Sequence, residues 1–377
     1  MNAMTTPVPM GGCAARVRRA DHDAAKQVML LKHAIEHYGR ELADFMPRSD
    51  DDRDEQLRPG EYLLFNEDAM ATRLESVKKG TERLLESEIK KAQKLGAVRR
   101  MAQAPSFAAL DALSIDYPHC EPVIALLRQR TALAQVTPGR VYSLPPILLV
   151  GEGGVGKTAF AEAVARLLDL PTRRVDMGSN TASFMLSGSH PSWSSAKPGA
   201  VWALLHASAS SGVMLVDEID KAADSNYPPL GPLYTLLEPS SARNFADEYV
   251  EVEMDASHII WIATCNDTEK IEPALRTRFR EFVIEAPSEA QMHAVAHSVY
   301  RERRKHAAWG AVFPEQLDEG VAEVMSVCTP RELAALIEAA AAHAASCHRT
   351  NILVADVHAA RASQNCQSRQ VRRLGFL

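Results

Sequence analysis

The sequence predicts an α/β fold: a parallel sheet sandwiched by helices, followed by a small helical lid domain and preceded by a helical N-terminal region. Three observations predict it. Short apolar runs rich in Val or Ile (Ile147 to Val150, Arg174 to Met177, Val213 to Val216, Ile259 to Thr264) alternate with helical stretches, the pattern of a parallel sheet covered on both faces. Between the first run and the helix-prone Ala159 to Leu168 lies Gly151-Glu152-Gly153-Gly154-Val155-Gly156-Lys157-Thr158, a glycine-rich loop at a strand-to-helix junction. After Pro287 the strand signals stop and helical periodicity takes over, including the alanine-rich Glu332 to Ala345.

The elements divide into three regions. Residues 1–104 are polar and helix-prone, with an opening helix around Ala24 to Phe45 and an acidic linker, Asp50-Asp51-Asp52-Arg53-Asp54-Glu55. A long helical pattern then starts at Asn66, a residue suited to capping, and places Met70, Leu74, Val77, Thr81, Leu84 and Leu85 at three- and four-residue spacing. Such a stripe must bury itself, in an amphipathic helix or short coiled coil, or against a docked partner or substrate. Residues 105–286 carry the alternating strands and helices, and residues 287–377 form the lid.

Composition narrows the function classes. At 377 residues and 46% hydrophobic, the chain can bury a real core and divide into two or three domains. A net charge of −6 argues against a surface that coats nucleic acid. No apolar stretch approaches the roughly 18 residues that span a bilayer, and the polar start lacks the apolar core of a secretory signal, so the expected location is cytoplasmic. The six cysteines are scattered without a C-x-x-C pair, and reduced thiols are expected.

The glycine-rich loop, Gly151 through Ala159, is a nucleotide-binding element of the Walker A kind. Its four glycines let backbone N–H groups turn inward around phosphates, Lys157 can reach the β and γ oxygens, and the Thr158 hydroxyl can ligate Mg²⁺ at the helix N-terminus. Val213-Met214-Leu215-Val216 ends in Asp217-Glu218, an apolar strand delivering two acids: Asp217 suits the Mg²⁺ shell, Glu218 the attacking water. Ile259 to Cys265 ends in Asn266, whose amide can reach a γ-phosphate or that water. Arg276, Arg278 and Arg280 have no acid run to pair them all, which points to an anion or a neighbouring subunit's nucleotide. Arg331 follows Thr329-Pro330 in the first turn of a helix, where positive charge opposes the macrodipole unless something anionic faces it.

This set resembles the AAA+ ATPases, and within them the ATPase module of Lon, from about Pro145 to Phe376. The likeness includes the loop, Leu215-Val216-Asp217-Glu218-Ile219-Asp220-Lys221 (Walker B), Phe245-Ala246-Asp247-Glu248-Tyr249-Val250 with Asp255 and Ser257, and Ile262-Ala263-Thr264-Cys265-Asn266. The resemblance implies a P-loop NTPase sheet, ATP and Mg²⁺ as cofactors, and catalytic roles for Lys157 and Glu218. It further implies Asn266 as sensor 1, Arg278 as an arginine finger acting on the next subunit, and Arg331 as sensor 2. Met177-Gly178 through Pro198-Gly199 is similar to the Lon segment bearing the first pore loop, and Trp193-Ser194 falls where that family places an aromatic–aliphatic pair. Tyr227 falls near a second pore loop.

The sequence also departs from the family. Glu152-Gly153 replaces two prolines of the loop, and Ser194 replaces an aliphatic grip residue. No Ser-Lys peptidase domain is expected after Leu377, and residues 1–104 carry no recognisable Lon substrate domain.

The function implied is ATP hydrolysis in an oligomeric ring, a homo-hexamer, coupled to remodelling or unfolding a protein client. Two other functions compete with it. A nucleic-acid motor or loader fits poorly with the acidic charge and with Lys197 as the one base near Trp193; a nucleotide-dependent regulatory switch would display the N-terminal helices to a partner. Two histidine pairs, His33-Ala34-Ile35-Glu36-His37 and His293 with His297, read as ordinary helix surface, the first lacking a third ligand and a peptidase fold for zinc chemistry.

Overall fold

Five parallel strands form the central sheet, and the order in which they pair decides where the site lies. The computed structural model describes residues 57–78, 83–179, 183–193, 195–222 and 229–363. The opening helix, the acidic linker, His33, His37, Thr81, Ser194 and Tyr227 lie outside the described residues.

In chain order the described elements begin with β1 (Glu61–Leu63), α1 (Glu67–Lys78), α2 (Arg83–Leu95), β2 (Val98–Arg100), α3 (Phe107–Asp116) and α4 (Glu121–Val136). There follow β3 (Ile147–Val150), α5 (Lys157–Leu168), β4 (Thr172–Asp176), α6 (Ala200–Leu205), β5 (Val213–Asp217), β6 (Phe245–Ala246), β7 (Glu253–Met254), β8 (Ile260–Cys265) and β9 (Arg280–Val283). The helices α7 (Glu289–His306), α8 (Glu319–Met325) and α9 (Pro330–Ser346) close the list, with residues 354–363 also helical.

The sheet order is β4-β5-β8-β3-β9, all parallel. Alternation along each strand sends side chains to two cores. Leu148, Met214, Val216, Trp261 and Ala263 face one, with Leu64, Met70, Leu85 and Trp202. Ile147, Leu149, Val213, Leu215, Ile260 and Ile262 face the other, with Leu110, Ile124, Leu127, Phe160 and Val164 from α3, α4 and α5. Each such aliphatic side chain contributes about 1.5–3 kcal/mol on burial. A third core joins Val295, Ala296 and Tyr300 of α7 to Leu333, Leu336, Ile337 and Ala340 of α9, whose small alanines let the helices approach. A capping box, Thr329 with Glu332, starts α9 where the sequence predicts.

Four of the five sheet strands match the runs read from the sequence; β9 does not. Its Arg280-Glu281-Phe282-Val283 is polar and mostly exposed because it is an edge strand, paired only with β3. The region before residue 104 is also not wholly helical. β1 and β2 pair antiparallel, and Tyr62, Leu64, Phe65 and Ala97 share a core with the sheet, so no break in packing falls at 104. The long pattern from Asn66 is two helices, α1 and α2. Asn66 does cap the first, its Oδ1 accepting the amides of Asp68 and Ala69, and Met70, Leu74, Val77 and Leu85 are buried. Leu84, in contrast, is 74% exposed. Among the described residues, no helix is long and apolar enough to cross a membrane.

Candidate nucleotide site

The loops leaving the carboxyl ends of β3, β5 and β8 meet in one crevice, the place where open α/β sheets bind ligands. A cavity of about 710 Å³ opens there, and Gly153 to Ala159, Asp217, Glu218, Asn266 and Arg331 all line it.

The loop after β3 depends on its glycines. A Cβ on Gly151 would sit 2.3 Å from the Ile284 carbonyl oxygen, and Gly154 and Gly156 adopt φ of +96° and +101°, open to glycine at little cost. Lys157 opens α5, and its ammonium turns back into the loop, donating to Gly151 O at 2.7 Å, Glu152 O at 2.8 Å and Asn266 Oδ1 at 2.9 Å. All three donors are thus engaged by oxygens, and burial pulls the Lys157 pKa down. Three acceptors around one ammonium mark a place where phosphate oxygens can substitute for protein ones.

Thr158 donates its hydroxyl to Asp217 Oδ1 at 2.9 Å. The same oxygen accepts the Thr264 hydroxyl at 2.5 Å, while Arg174 pairs with Oδ2 and, through Nη1, with Glu162 at 3.0 Å. A buried carboxylate beside a hydroxyl is a donor set that fits Mg²⁺, a hard cation preferring oxygen. Glu218 adopts a left-handed backbone, φ +52°, unusual for a residue with a side chain and typical of functional positions. Its Oε1 accepts from Lys221 Nζ at 2.7 Å, and its Oε2 leaves no comfortable room for more than hydrogen on Gly178, where a Cβ would come within 3.1 Å.

The lid supplies the facing wall. Arg331 of α9 packs over Gly154, with Val295, Ser298, Val299 and Glu302 of α7 alongside. The third wall was not foreseen: Tyr117 and His119, between α3 and α4, also line the cavity. The Val155 carbonyl accepts from His119 Nε2 at 3.0 Å, and Tyr117 donates to Ala159 O at 3.3 Å. Burial lowers the His119 pKa, keeping the ring neutral. Arg174 and Thr264 are further functional candidates missed in the sequence; Thr264 lies within the same apolar run that ends in Asn266, two residues before it, a signal the sequence carries.

Not every candidate converges here. Arg278 stands outside the cavity, its Nη1 donating to Ala274 O at 2.6 Å and its guanidinium 5.2 Å from the Tyr234 ring centroid. The expectation that the neighbouring arginines lack acids fails for Arg276, which makes a two-pronged pair with Glu281 at 2.9 Å because β9 brings that carboxylate alongside. Trp193 lies far along the chain from the loop, 42% exposed, in edge contact with Phe184.

The chain is similar to known proteins over the region that carries this site. Residues 147–286 match the family described as ATPase family associated with various cellular activities (AAA). The peroxisomal Lon protease homolog 2 of Caenorhabditis briggsae is 33% identical over 166 residues, 42% of this chain and 21% of that protein. The Lon protease of Salinispora arenicola is 33% identical over 163 residues, again 42% of this chain and 21% of the relative. The chain therefore spans about a fifth of the length of these curated relatives. Among solved structures, a closed-state reconstruction of Hsp104 with ATPyS and FITC casein has a TM-score of 0.50 at 17% identity, covering 64% of this chain and 47% of that one, a likeness of fold. The fold and the loop define a P-loop nucleotide-binding protein. More closely, residues 147–286 match the AAA family of ATPases, and this part of the chain is similar to the Lon proteases.

Proposed function

We propose that the chain hydrolyses ATP with Mg²⁺ in a homo-hexameric ring and uses the cycle to remodel or unfold protein clients. The observation that supports this most is the convergence of Lys157, Thr158, Asp217, Glu218, Asn266 and Arg331 on one cavity while Arg278 stands outside it. Lys157 trades its carbonyl partners for β and γ oxygens. Thr158 and Asp217 hold Mg²⁺, which when bound neutralises phosphate charge. Glu218 takes the proton of the attacking water, Asn266 orients that water or the γ-phosphate, and Arg331 couples the lid to the nucleotide. Arg278, whose partners are a carbonyl and an aromatic face, serves the site of the next subunit.

Protein clients follow from the relatives named as Lon proteases, which act on polypeptide. In this reading Trp193, with Ser194 beside it, contacts the client in the ring's channel, residues 1–104 dock a partner or substrate, residues 105–286 turn over nucleotide, residues 287–377 act as the lid, and the protein works in the cytoplasm.

Calorimetry and turnover assays on two variants test the site. Lys157→Ala should lose ATP binding, whereas Glu218→Gln should keep it and lose turnover. Equal ATP affinity in wild type and Lys157→Ala would remove the basis for the assignment.

A further inference from the structure

His293 and His297 stand one helical turn apart on α7, and Glu319, which opens α8, reaches across to both. His293 Nε2 lies 2.9 Å from Glu319 Oε2, and His297 Nε2 lies 3.6 Å from the same oxygen. The two rings meet edge to face with centroids 5.0 Å apart, and all three potential ligand atoms lie within 4.8 Å of one another. The sequence shows only the histidine pair, which reads as plain helix surface; the third group arrives through the fold, where α8 packs on α7.

The chemistry of the set is specific. A tetrahedral ion with bonds of about 2.0–2.2 Å holds its ligand atoms roughly 3.3–3.6 Å apart; the His297–Glu319 distance of 3.6 Å lies at that spacing, and the His293–Glu319 distance of 2.9 Å lies inside it. His297 Nε2 is buried and without a hydrogen-bond partner among the described residues, 3.6 Å being too long for one. Two imidazoles and a carboxylate suit Zn²⁺ better than Mg²⁺ or Ca²⁺, which prefer oxygen throughout.

We propose that His293, His297 and Glu319 bind one zinc-class divalent cation, with solvent completing the shell. The ion would tie α7 to α8 inside the lid. Val295, Ser298, Val299 and Glu302 lie on the opposite face of α7 and line the nucleotide cavity, so the ion braces the lid wall from behind without entering the site. The inference rests on lid residues alone and is independent of the nucleotide chemistry.

The test uses the full chain, tag-free and stripped of metal, titrated with Zn²⁺ under thermal melting and with Co²⁺ under visible absorption. Wild type should bind one Co²⁺ with the intense bands of tetrahedral coordination, and Zn²⁺ should raise its melting temperature. Glu319→Ala, at a side chain 80% exposed and so tolerant of change, should weaken binding by at least about tenfold. The double substitution His293→Ala with His297→Ala should abolish it, whereas His33→Ala with His37→Ala, in the other histidine pair, should leave this binding event intact. Absence of uptake by wild type, or equal uptake by wild type, Glu319→Ala and the His293→Ala/His297→Ala protein, would overturn the site.

Discussion

Thr264 donates its hydroxyl hydrogen to Asp217 Oδ1 at 2.5 Å and at the same time accepts the Glu218 amide N–H at 3.0 Å. One side chain on β8 thereby sets the position of both acids at the end of β5. The register of the parallel pair makes this possible, since Val216 lies opposite Ala263 and the next residues along both strands therefore face each other.

Replacing Thr264 by Val keeps the volume and removes both bonds. Losing a buried hydrogen bond of this kind costs about 1–3 kcal/mol, so turnover should fall about 10- to 100-fold while ATP affinity stays within a few-fold of wild type. Thr264→Ser should recover much of the loss. Steady-state ATPase assays with calorimetric binding decide it; a Thr264→Val protein with normal turnover would show that the two acids need no such brace.

What the sequence revealed and what it hid follow from range. The loop from Gly151 to Thr158, the Asp217-Glu218 pair and Asn266 are contiguous chemistry, each attached to an apolar strand that announces itself by composition. Tyr117, His119 and Arg174 reach the site through packing between elements distant in the chain, and nothing in their neighbourhoods marks them. β9 escaped because an edge strand buries little and so carries no apolar run. β1 and β2 escaped for a different reason: at three residues each they are too short for alternation to register, and Arg99, fully buried, looks like a surface residue until its guanidinium is seen donating to Leu205 O, Gly96 O and Val98 O.

Asp247 lies against both ends of the segment bearing Trp193 and hydrogen-bonds one of them. This buried carboxylate accepts the Gly199 amide at 2.8 Å and the Tyr249 amide at 3.0 Å, and Gly188, at φ +83°, packs so closely that a Cβ would lie 2.5 Å from its Oδ1. Trp193 itself is exposed between those ends. Trp193→Ala should therefore leave the melting temperature and basal ATPase near wild type while abolishing ATP-dependent unfolding of a client. Asp247→Ala should lower the melting temperature, because it strands buried amides. A loss of about 3–5 kcal/mol for Trp193→Ala, the cost of truncating a packed core aromatic, or normal client unfolding, would each contradict the gripping role.

The lid should be sensitive to acid through Asp356. Its carboxylate accepts two bonds from Arg349, at 2.7 and 2.6 Å, one from His343 Nδ1 at 2.6 Å and the Leu353 amide at 2.8 Å. The Arg349 guanidinium, foremost among these, holds the Asp356 pKa well below the usual carboxylate range. A folded-state pKa below the unfolded value of about 3.9 means the stabilisation is fully present above that value and is lost as pH falls toward the folded one. Thermal melts between pH 7 and pH 2 should show this acid-dependent loss in wild type, and Asp356→Asn should start from a lower melting temperature, by roughly 5 °C, and show a shallower acid dependence. Identical pH profiles for the two proteins would rule Asp356 out as the source.

The central claim, that one subunit's Arg278 completes the next subunit's site, is tested most directly by mixing two inactive proteins. Arg278→Ala should bind ATP yet hydrolyse it roughly 10³- to 10⁵-fold more slowly, the worth of a finger that stabilises transition-state charge. Glu218→Gln should also bind ATP without turnover, while still presenting Arg278 to its neighbour. When the two are mixed under conditions that allow subunit exchange, interfaces pairing an intact Glu218 site with an intact Arg278 form, and ATPase activity should reappear, with a maximum near equal proportions. Failure to recover activity at any ratio, with both variants folded, exchanging and binding ATP, would contradict a site shared between subunits.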